Sequence, residues 1–519
     1  MPARRRLPLW AAVIVAAVGG LTLDASFPSI GIWPLTFVAV ILGLVSLIGR
    51  RMGGAFLTGL VFGLAFYLPH VSWSAHFLGD TTGAWVPWVA LSTFESLFTA
   101  VLSIPIALAY RWLPSTGSGT RALVAVLVAG LWTLREVLIG TVPYGGFAWG
   151  RLGMAMADAP IARSASWIGV TGLSFCIVLI SAFVIEIIRP STGSGTGKAR
   201  TAITPAILLV ALVLVPQFPT HVTGQTLTVG AVQGNGPAAY MDDRDRYEVL
   251  DSQLEATEAL RGKDLDLIVW PEGGVDSDPL YNDTTAAVLD GVVEQYGAPL
   301  LMNAASAHGG DSTQDDATIW NTSMLWTGEG EVQLHSKRHP VPFGEYVPNR
   351  AIFEKLAPSL IGLIGREYTP GTEPPVVTLD DGTTIGLAIC FDVIFDSLIR
   401  EGIHDGAEVL IFQTNNADFR GTDENLQQLS FARMRAIETG RMVVNLSTTG
   451  TSQVIAADGT TVDALPIATA GAMLDDVELR TGTTAGVLLG PWISGAILIL
   501  SVLSLAAGGI RHRRRHTAS

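Results

Sequence analysis

Cysteine is almost absent: the 519 residues hold two, Cys176 and Cys390, far apart in the chain. That excludes a disulfide framework and the paired spacing of a structural metal site, and neither a metal nor another cofactor is expected. Charge is also sparse. Asp, Glu, Lys and Arg make up 15% of the chain against 49% hydrophobic residues. The mean hydropathy of +0.41 is too apolar for an ordinary soluble enzyme. Bases are scarce where acids are dense: residues 225–480 carry 40 Asp and Glu against 15 Lys and Arg, while the rest of the chain carries 6 against 17. So acidic a block repels a phosphate backbone, which argues against nucleic acid as its partner. No small-residue cleavage site follows the basic start and the apolar run 7–23, and more apolar runs come after it. This segment is expected to stay as a first membrane helix rather than leave as a signal peptide.

Further apolar runs of roughly membrane length occupy 32–48, 53–68, 88–110, 122–139, 168–188, 202–216 and 487–509, about eight spans in all, the third and seventh being short. Basic residues cluster in alternate connections and at both ends: Arg4 to Arg6, Arg50 and Arg51, Arg111 with Arg121, Arg189 with Lys198 and Arg200, and Arg511 to Arg515. The excess of Lys and Arg on the cytoplasmic side then puts both termini inside and the acidic block outside. Arg151 and Arg163, in the loop 140–167, are the one departure from that alternation. The organisation expected is a membrane domain over 1–220, an extracytoplasmic domain over 221–482, and a last span with a basic cytoplasmic tail over 483–519. Two cytoplasmic loops, 115–120 and 191–196, share the sequence Ser-Thr-Gly-Ser-Gly-Thr and read as flexible linkers. Glu95, Arg135 and Glu136 fall inside spans, where charge is costly. Glu95 and Arg135 lie at similar depth and read as a structural pair, with a lipid-headgroup site as the alternative.

The acidic block alternates strand and helix patterns. Strands are expected over 227–233, 267–270, 300–304, 323–326, 332–336, 384–389, 408–413, 442–446 and 453–456, and helices over 243–260, 284–295, 393–400 and 424–439. That is a layered α/β domain of mixed sheets. Three reactive side chains stand at strand ends: Glu272 after Trp270-Pro271, Lys337 after His335-Ser336, and Cys390 after the buried run 384–389. A lone cysteine is as often a buried core residue as a nucleophile, and a lone lysine is usually a surface charge. A carboxylate, an ammonium and a thiol converging on one rim of a sheet are what acyl transfer needs: base, cation and nucleophile.

Trp270-Pro271-Glu272, the strand-end Lys337 and the cysteine after an apolar strand resemble the Glu-Lys-Cys pattern of the nitrilase superfamily. Pro342-Phe343-Gly344-Glu345-Tyr346-Val347-Pro348 is similar to the P-F-G-E-x-x-P segment of the membrane-bound branch, the apolipoprotein N-acyltransferase family. Gln233-Gly234-Asn235, the run Ala432 to Arg441, and Gly146-Phe147-Ala148-Trp149 match further family segments, so the resemblance covers nearly the whole chain. It implies an α-β-β-α sandwich with Cys390 as nucleophile, Glu272 as general base and Lys337 as oxyanion-stabilising cation. Glu345 would hold Lys337 or Glu272, the backbone N–H of Phe391 would help at the oxyanion, and Trp149 and Tyr240 would lie near lipid.

The reaction implied is transfer of a fatty acyl chain from a phospholipid, through a thioester, to the α-amine of a diacylglyceryl apolipoprotein. The setting is a bacterial plasma membrane and the protein a monomer. A membrane-anchored amidase and an inactive lipid- or lipoprotein-binding homologue are the alternatives. A glutamine-hydrolysing synthetase module is not expected, since no ATP-binding domain follows. Three segments depart from the family pattern: the Gln233 segment lacks a tryptophan that some members carry shortly after it, with Tyr240 as a loose substitute, and two more lie in the second half of the domain. Phe391-Asp392 stand where Tyr-Glu is common, which shortens the acid's reach, and Asn415-Asn416-Ala417-Asp418-Phe419 lacks a tryptophan and is expected to alter the substrate rim. The apolar patch Leu360 to Ile364 reads as a lid dipping into the outer leaflet or as a core strand.

Overall fold

Long apolar runs fold as helices, because in lipid only intrasegment hydrogen bonds satisfy the main chain. In the computed structural model, which describes residues 7–79, 81, 83–113, 117–189, 195–314, 316–328, 332–365 and 367–517, every expected span falls on a helix. These are α1 (Leu9–Asp24), α2 (Leu35–Leu47), α3 (Met52–His70), α4 (Trp85–Trp112), α5 (Ser118–Ile139), α6 (Ala165–Ile188), α7 (Gly195–Leu214) and a C-terminal helix, Ala485–Thr517. Arg4 to Arg6, the first part of each Ser-Thr-Gly linker, and Glu329-Gly330, between the expected strands 323–326 and 332–336, lie outside the described residues.

Among the described residues, five helical stretches are long and apolar enough to cross a membrane: Met52–His70, Trp85–Trp112, Ser118–Ile139, Ala162–Ile188 and Ala485–Arg514. Leu9–Asp24, Leu35–Leu47 and Ile203–Leu214 are shorter apolar helices. The third span is thus longer than its apolar run suggested, since the helix continues through Pro69 to His70. Close packing follows from small residues. A Cβ on Gly63 would come within 2.7 Å of the Ser96 backbone, and one on Gly59 within 2.4 Å of the Ser103 hydroxyl, so Gly59 and Gly63 let α3 lie against α4.

The chain divides into two compact units. One takes in the helices above, and the other comprises His76–Ala84 and Pro219–Thr484. The segment His76–Ala84, read from sequence as part of a membrane-domain loop, groups with the second unit.

Among its described residues the second unit holds twelve strands in two six-stranded sheets. The strands are β1 (His221–Gln233), β2 (Leu267–Val269), β3 (Leu300–Ser306), β4 (Trp320–Trp326), β5 (Gln333–Ser336), β6 (Val376–Thr378), β7 (Thr384–Ile389), β8 (Val409–Thr414), β9 (Val443–Ser447), β10 (Gln453–Ile455), β11 (Thr461–Ala464) and β12 (Gly471–Thr481). The first sheet runs β12-β1-β2-β3-β4-β5 and the second β11-β10-β9-β8-β7-β6. Each has a parallel centre, β1-β2-β3 and β7-β8-β9, flanked by antiparallel strands.

Period-two alternation buries one face of each sheet against the other. Val229, Leu267, Val269 and Leu301 of the first sheet meet Ile385, Leu387, Ile411 and Val444 of the second in one core. The outer face of the first sheet packs Ile268 and Trp270 against Leu250 of α8 (Glu248–Thr257) and Leu289 of α9 (Asp283–Tyr296). After two short helices, α10 (Arg350–Leu356) and α11 (Pro358–Ile361), α12 (Asp396–His404) packs on β7 and α13 (Glu424–Thr439) on β9. This is the four-layer α-β-β-α arrangement.

Two local expectations change. Helical spacing after Cys390 predicts an α-helix over 393–400, whereas a 3-10 turn, Cys390–Ile394, comes first and α12 starts at Asp396. The patch Leu360 to Ile364 is not a strand. Ile361 and Ile364 are buried with Val347 in a small core of their own, and Ile352 and Leu356 of α10 stay exposed.

Candidate active site

The C-terminal ends of two strands of the parallel centres and of the edge strand β5 carry the reactive groups. Glu272 follows β2, Lys337 follows β5, and Cys390 follows β7. Lys337 is 1% exposed, and its Nζ lies 3.1 Å from Glu272 Oε1 and 2.7 Å from Glu345 Oε1. One buried ammonium therefore bridges two carboxylates. Glu345 Oε2 accepts from the Val341 N–H at 2.7 Å, which ties the Pro-Phe-Gly-Glu turn to the same lysine.

Glu272 is held by a directed chain. The Gly273 N–H donates to Asn303 Oδ1 at 2.8 Å, Asn303 Nδ2 to Asn321 Oδ1 at 2.9 Å, and Asn321 Nδ2 to Glu272 Oε1 at 2.7 Å. Nearby, Gln413 of β8 stitches the two sheets together, donating to the Trp270 carbonyl at 2.6 Å and accepting from Ser323 at 2.5 Å.

Cys390 sits at φ +50°, a left-handed turn that a non-glycine residue adopts at a cost and that clusters at functional sites. The turn leaves part of the residue accessible. Enclosure, then the carboxylates Glu272, Glu424 and Glu345, push its thiol well above the usual range, and Lys337 opposes them. Burial works against the charge on Lys337, but Glu272 and Glu345 outweigh it and hold the ammonium protonated. Burial raises Glu345 above the ordinary carboxylate range despite Lys337. The thiol thus rests protonated, beside a carboxylate and a fixed cation that can take its proton and stabilise new negative charge.

Asp392 does not reach toward Lys337. It is fully buried, and it accepts from the Arg338 N–H at 3.1 Å, the His339 N–H at 2.9 Å and His339 Nδ1 at 2.8 Å. Although burial opposes its charge, the His339 contact, with Lys337 and His335, brings it below the ordinary range. A shorter acid than the family's Glu thus clamps the backbone that follows Lys337. Phe391 is buried edge-on against Phe395.

The remaining sequence candidates lie elsewhere. Tyr240 stacks on Phe77 at 5.6 Å, its hydroxyl meets the Leu363 carbonyl and Gly365 N–H, and its own N–H donates to Asp418. Burial, then Asp242, raises Asp418 to about 6. In the helical unit, Trp149 is buried 5.1 Å from Trp73, and Arg135 pairs with Glu136 at 3.8 Å while Glu95 acts on it electrostatically. Among the described residues no group of His, Cys, Asp or Glu is arranged to hold a metal ion.

The sequence reading missed Asn303, Asn321, Glu424 and Gln428. Asn303, Glu424 and Gln428 are ordinary polar residues inside an expected strand or helix, Asn321 stands just before the expected strand 323–326, and only burial marks them as unusual.

Two family models match the chain in order. The apolipoprotein N-acyltransferase N-terminal domain covers residues 19–183, and the carbon-nitrogen hydrolase domain covers residues 228–484. An apolipoprotein N-acyltransferase of Mycolicibacterium smegmatis is 32% identical over 97% of this chain and 86% of its own length. One from Shewanella oneidensis is 26% identical over 97% of this chain and 96% of its own. Among solved structures, the nitrilase-superfamily protein Nit3 of Saccharomyces cerevisiae matches 49% of this chain and 90% of its own, at 18% identity and a TM-score of 0.38. A membrane protein by its helices and an enzyme of the carbon-nitrogen hydrolase superfamily by its second unit, the chain belongs to the apolipoprotein N-acyltransferase family.

Proposed function

We propose that this protein moves a fatty acyl chain from a phospholipid, through a Cys390 thioester, to the α-amine of the S-diacylglyceryl-cysteine of an apolipoprotein. The observation that carries this reading is the buried ammonium of Lys337 shared between Glu272 and Glu345 beside a strained, accessible Cys390. In the first half-reaction Glu272 takes the thiol proton, and the sulfur attacks the ester carbonyl. The oxyanion forms against Lys337 Nζ and the Phe391 N–H, and its collapse breaks the ester C–O bond. The proton on Glu272 passes to the departing alkoxide, which leaves as lysophospholipid. In the second, the lipoprotein amine attacks the thioester, Glu272 takes the amine proton, and the C–S bond breaks to return the thiol. Glu345 holds Lys337 in place throughout.

Positive clusters in alternate connections support cytoplasmic termini and an extracytoplasmic second unit. The family resemblance implies a monomer in the bacterial plasma membrane. Both substrates are lipids, which is why such a site is fused to apolar helices. The exposed Ile352 and Leu356 fit contact with the leaflet that supplies them, with Tyr240 at the rim. Trp149, Glu95 and Arg135 are the helical unit's own candidates for lipid contact.

Intact-mass spectrometry of the purified protein with phospholipid tests the reading. A fatty-acyl adduct removed by hydroxylamine and missing in Cys390→Ala is expected. If wild type forms no adduct and leaves a diacylglyceryl peptide unacylated, the proposal fails, and hydrolysis of small amides becomes the reading to pursue.

A further inference from the structure

A second directed chain ends on the sulfur itself. The Gly450 N–H donates to Ser447 Oγ at 2.9 Å, and a backbone N–H can only donate, so the Ser447 hydroxyl proton points onward. It meets Asn416 Oδ1 at 2.7 Å, and Thr414 Oγ1 reaches the same oxygen at 3.1 Å. With Oδ1 accepting twice, Asn416 Nδ2 donates twice, to Gln428 Oε1 at 2.6 Å and to Glu424 Oε2 at 2.8 Å. Gln428 must then present its own amide N–H groups on the other side, where Nε2 lies 3.6 Å from Cys390 Sγ.

Every member of this chain is buried. Gln428, Asn416 and Glu424 are 2% exposed, and Ser447 is fully enclosed. The approach is tight as well, since a Cβ on Gly450 would fall 2.5 Å from Asn416 Oδ1. An amide whose orientation is dictated through two residues from a backbone N–H is a preorganised donor. It costs no rearrangement when charge appears on its partner.

Resting on the reading of Cys390 as nucleophile, we infer that Gln428 is a further catalytic residue, donating an N–H to Cys390 Sγ as the thiolate forms, and that Asn416 is the positioning residue that fixes that donor. The departure Asn415-Asn416 thereby acquires a reason. An aspartate at 416 would set a carboxylate against Glu424 and offer Gln428 no donor, so its amide would turn and face the sulfur with oxygen.

The sulfur is also faced by Glu272, Glu345 and Glu424, which oppose a thiolate, and by Lys337, which favours it. Gln428 adds a neutral donor that no change of pH removes.

The test uses the full chain in detergent and follows the rate of iodoacetamide alkylation of Cys390, resolved from Cys176 by peptide mass, between pH 7 and 10, where the rate rises with the thiolate fraction. Gln428→Met is expected to slow the reaction about tenfold at each pH, the equivalent of about one pH unit in the thiol's titration. Asn416→Asp slows it the same way, while Gln428→His, which keeps a ring N–H, stays near wild type. Unchanged rates in both Gln428→Met and Asn416→Asp overturn the inference. If Gln428→Met does not accumulate folded, the Asn416→Asp rate decides alone. Acyl-adduct formation from phospholipid is measured alongside. A wild type that alkylates normally but never acylates defeats the nucleophile reading, while the alkylation rates still judge Gln428.

Discussion

Two groups of buried charge can be compared within this chain. In the α/β unit, Lys337 lies between Glu272 and Glu345, and Lys337 Nζ, Glu272 Oε1 and both Glu345 oxygens have hydrogen-bond partners. In the helical unit, Arg135 lies near Glu136 and Glu95. There Arg135 Nε and Nη2, Glu95 Oε2 and Glu136 Oε2 are buried with no hydrogen-bond partner among the described residues. A satisfied cluster is held in one geometry, which a reaction requires; an unsatisfied one leaves its side chains a choice of partners. The difference supports the proposed chemistry for the first and a structural role, or polar guests, for the second.

The sharpest way to break that contrast is Lys337→Met. It removes the cation proposed to stabilise the oxyanion and leaves two buried carboxylates facing each other. Acyl-adduct formation is expected to fall by about a hundredfold or more, and thermal unfolding in detergent to report a loss of about 3–5 kcal/mol. An adduct rate within tenfold of wild type would remove Lys337 from the chemistry.

Glu345→Gln sharpens the same cluster with a smaller effect. The amide oxygen can still accept from Lys337 or from the Val341 N–H, so geometry is largely kept while one negative charge goes. We expect adduct formation to fall about tenfold, roughly the value of one charge-assisted hydrogen bond, with the fold retained. A fall as deep as that of Lys337→Met would instead make Glu345 a proton carrier.

How much of this was legible in sequence follows from the kind of signal each residue leaves. Glu272, Lys337 and Cys390 close apolar strands, so the period-two pattern ends on them and draws the eye. Strands β6, β11 and β12 were not read, and all three are sheet edges. Edge strands carry charge that protects them from pairing with other chains, and Asp475-Asp476 inside β12 broke the pattern a central strand would show. Asn303, Asn321 and Gln428 were invisible for a different reason. They sit at inward positions of good strands and a good helix, and their role comes from partners distant in sequence, such as Asn303 to Asn321 or Gln428 to Cys390. The direction of Asp392 was likewise unreadable, since it depends on where the chain after Lys337 returns.

Glu424 offers a pH test of what burial does to an acid with one amide partner. Burial, against the Asn416 contact and with Glu272 and Asp418 adding to it, raises its pKa from 4.5 to about 8. The folded state therefore keeps a proton that the unfolded chain releases. Stability is full below about pH 4.5 and declines as pH rises to about 8, by at most about 1.4 kcal/mol per pH unit. Glu424→Gln removes this titration, so the drop in unfolding temperature between pH 5 and pH 8 should shrink. Asp418, raised to about 6, leaves a smaller residual slope at the acid end. An unchanged slope in Glu424→Gln would mean that Glu424 is ionised in the fold.

The smallest effect is expected in the other cluster. Arg135 stacks over Trp132 at 4.6 Å and reaches Thr99 at 3.4 Å, contacts a lysine would only partly replace. Arg135→Lys keeps the charge and loses the planar donor, so about 1–2 kcal/mol of stability is expected to go with the stacking and the hydrogen bond. Adduct formation on Cys390 should stay within about threefold of wild type, since no reacting atom depends on it. A deep loss of adduct with unfolding unchanged would reverse the contrast. The unsatisfied Arg135 and Glu136 atoms would then be a lipid-headgroup site, left open in the protein because a substrate completes it.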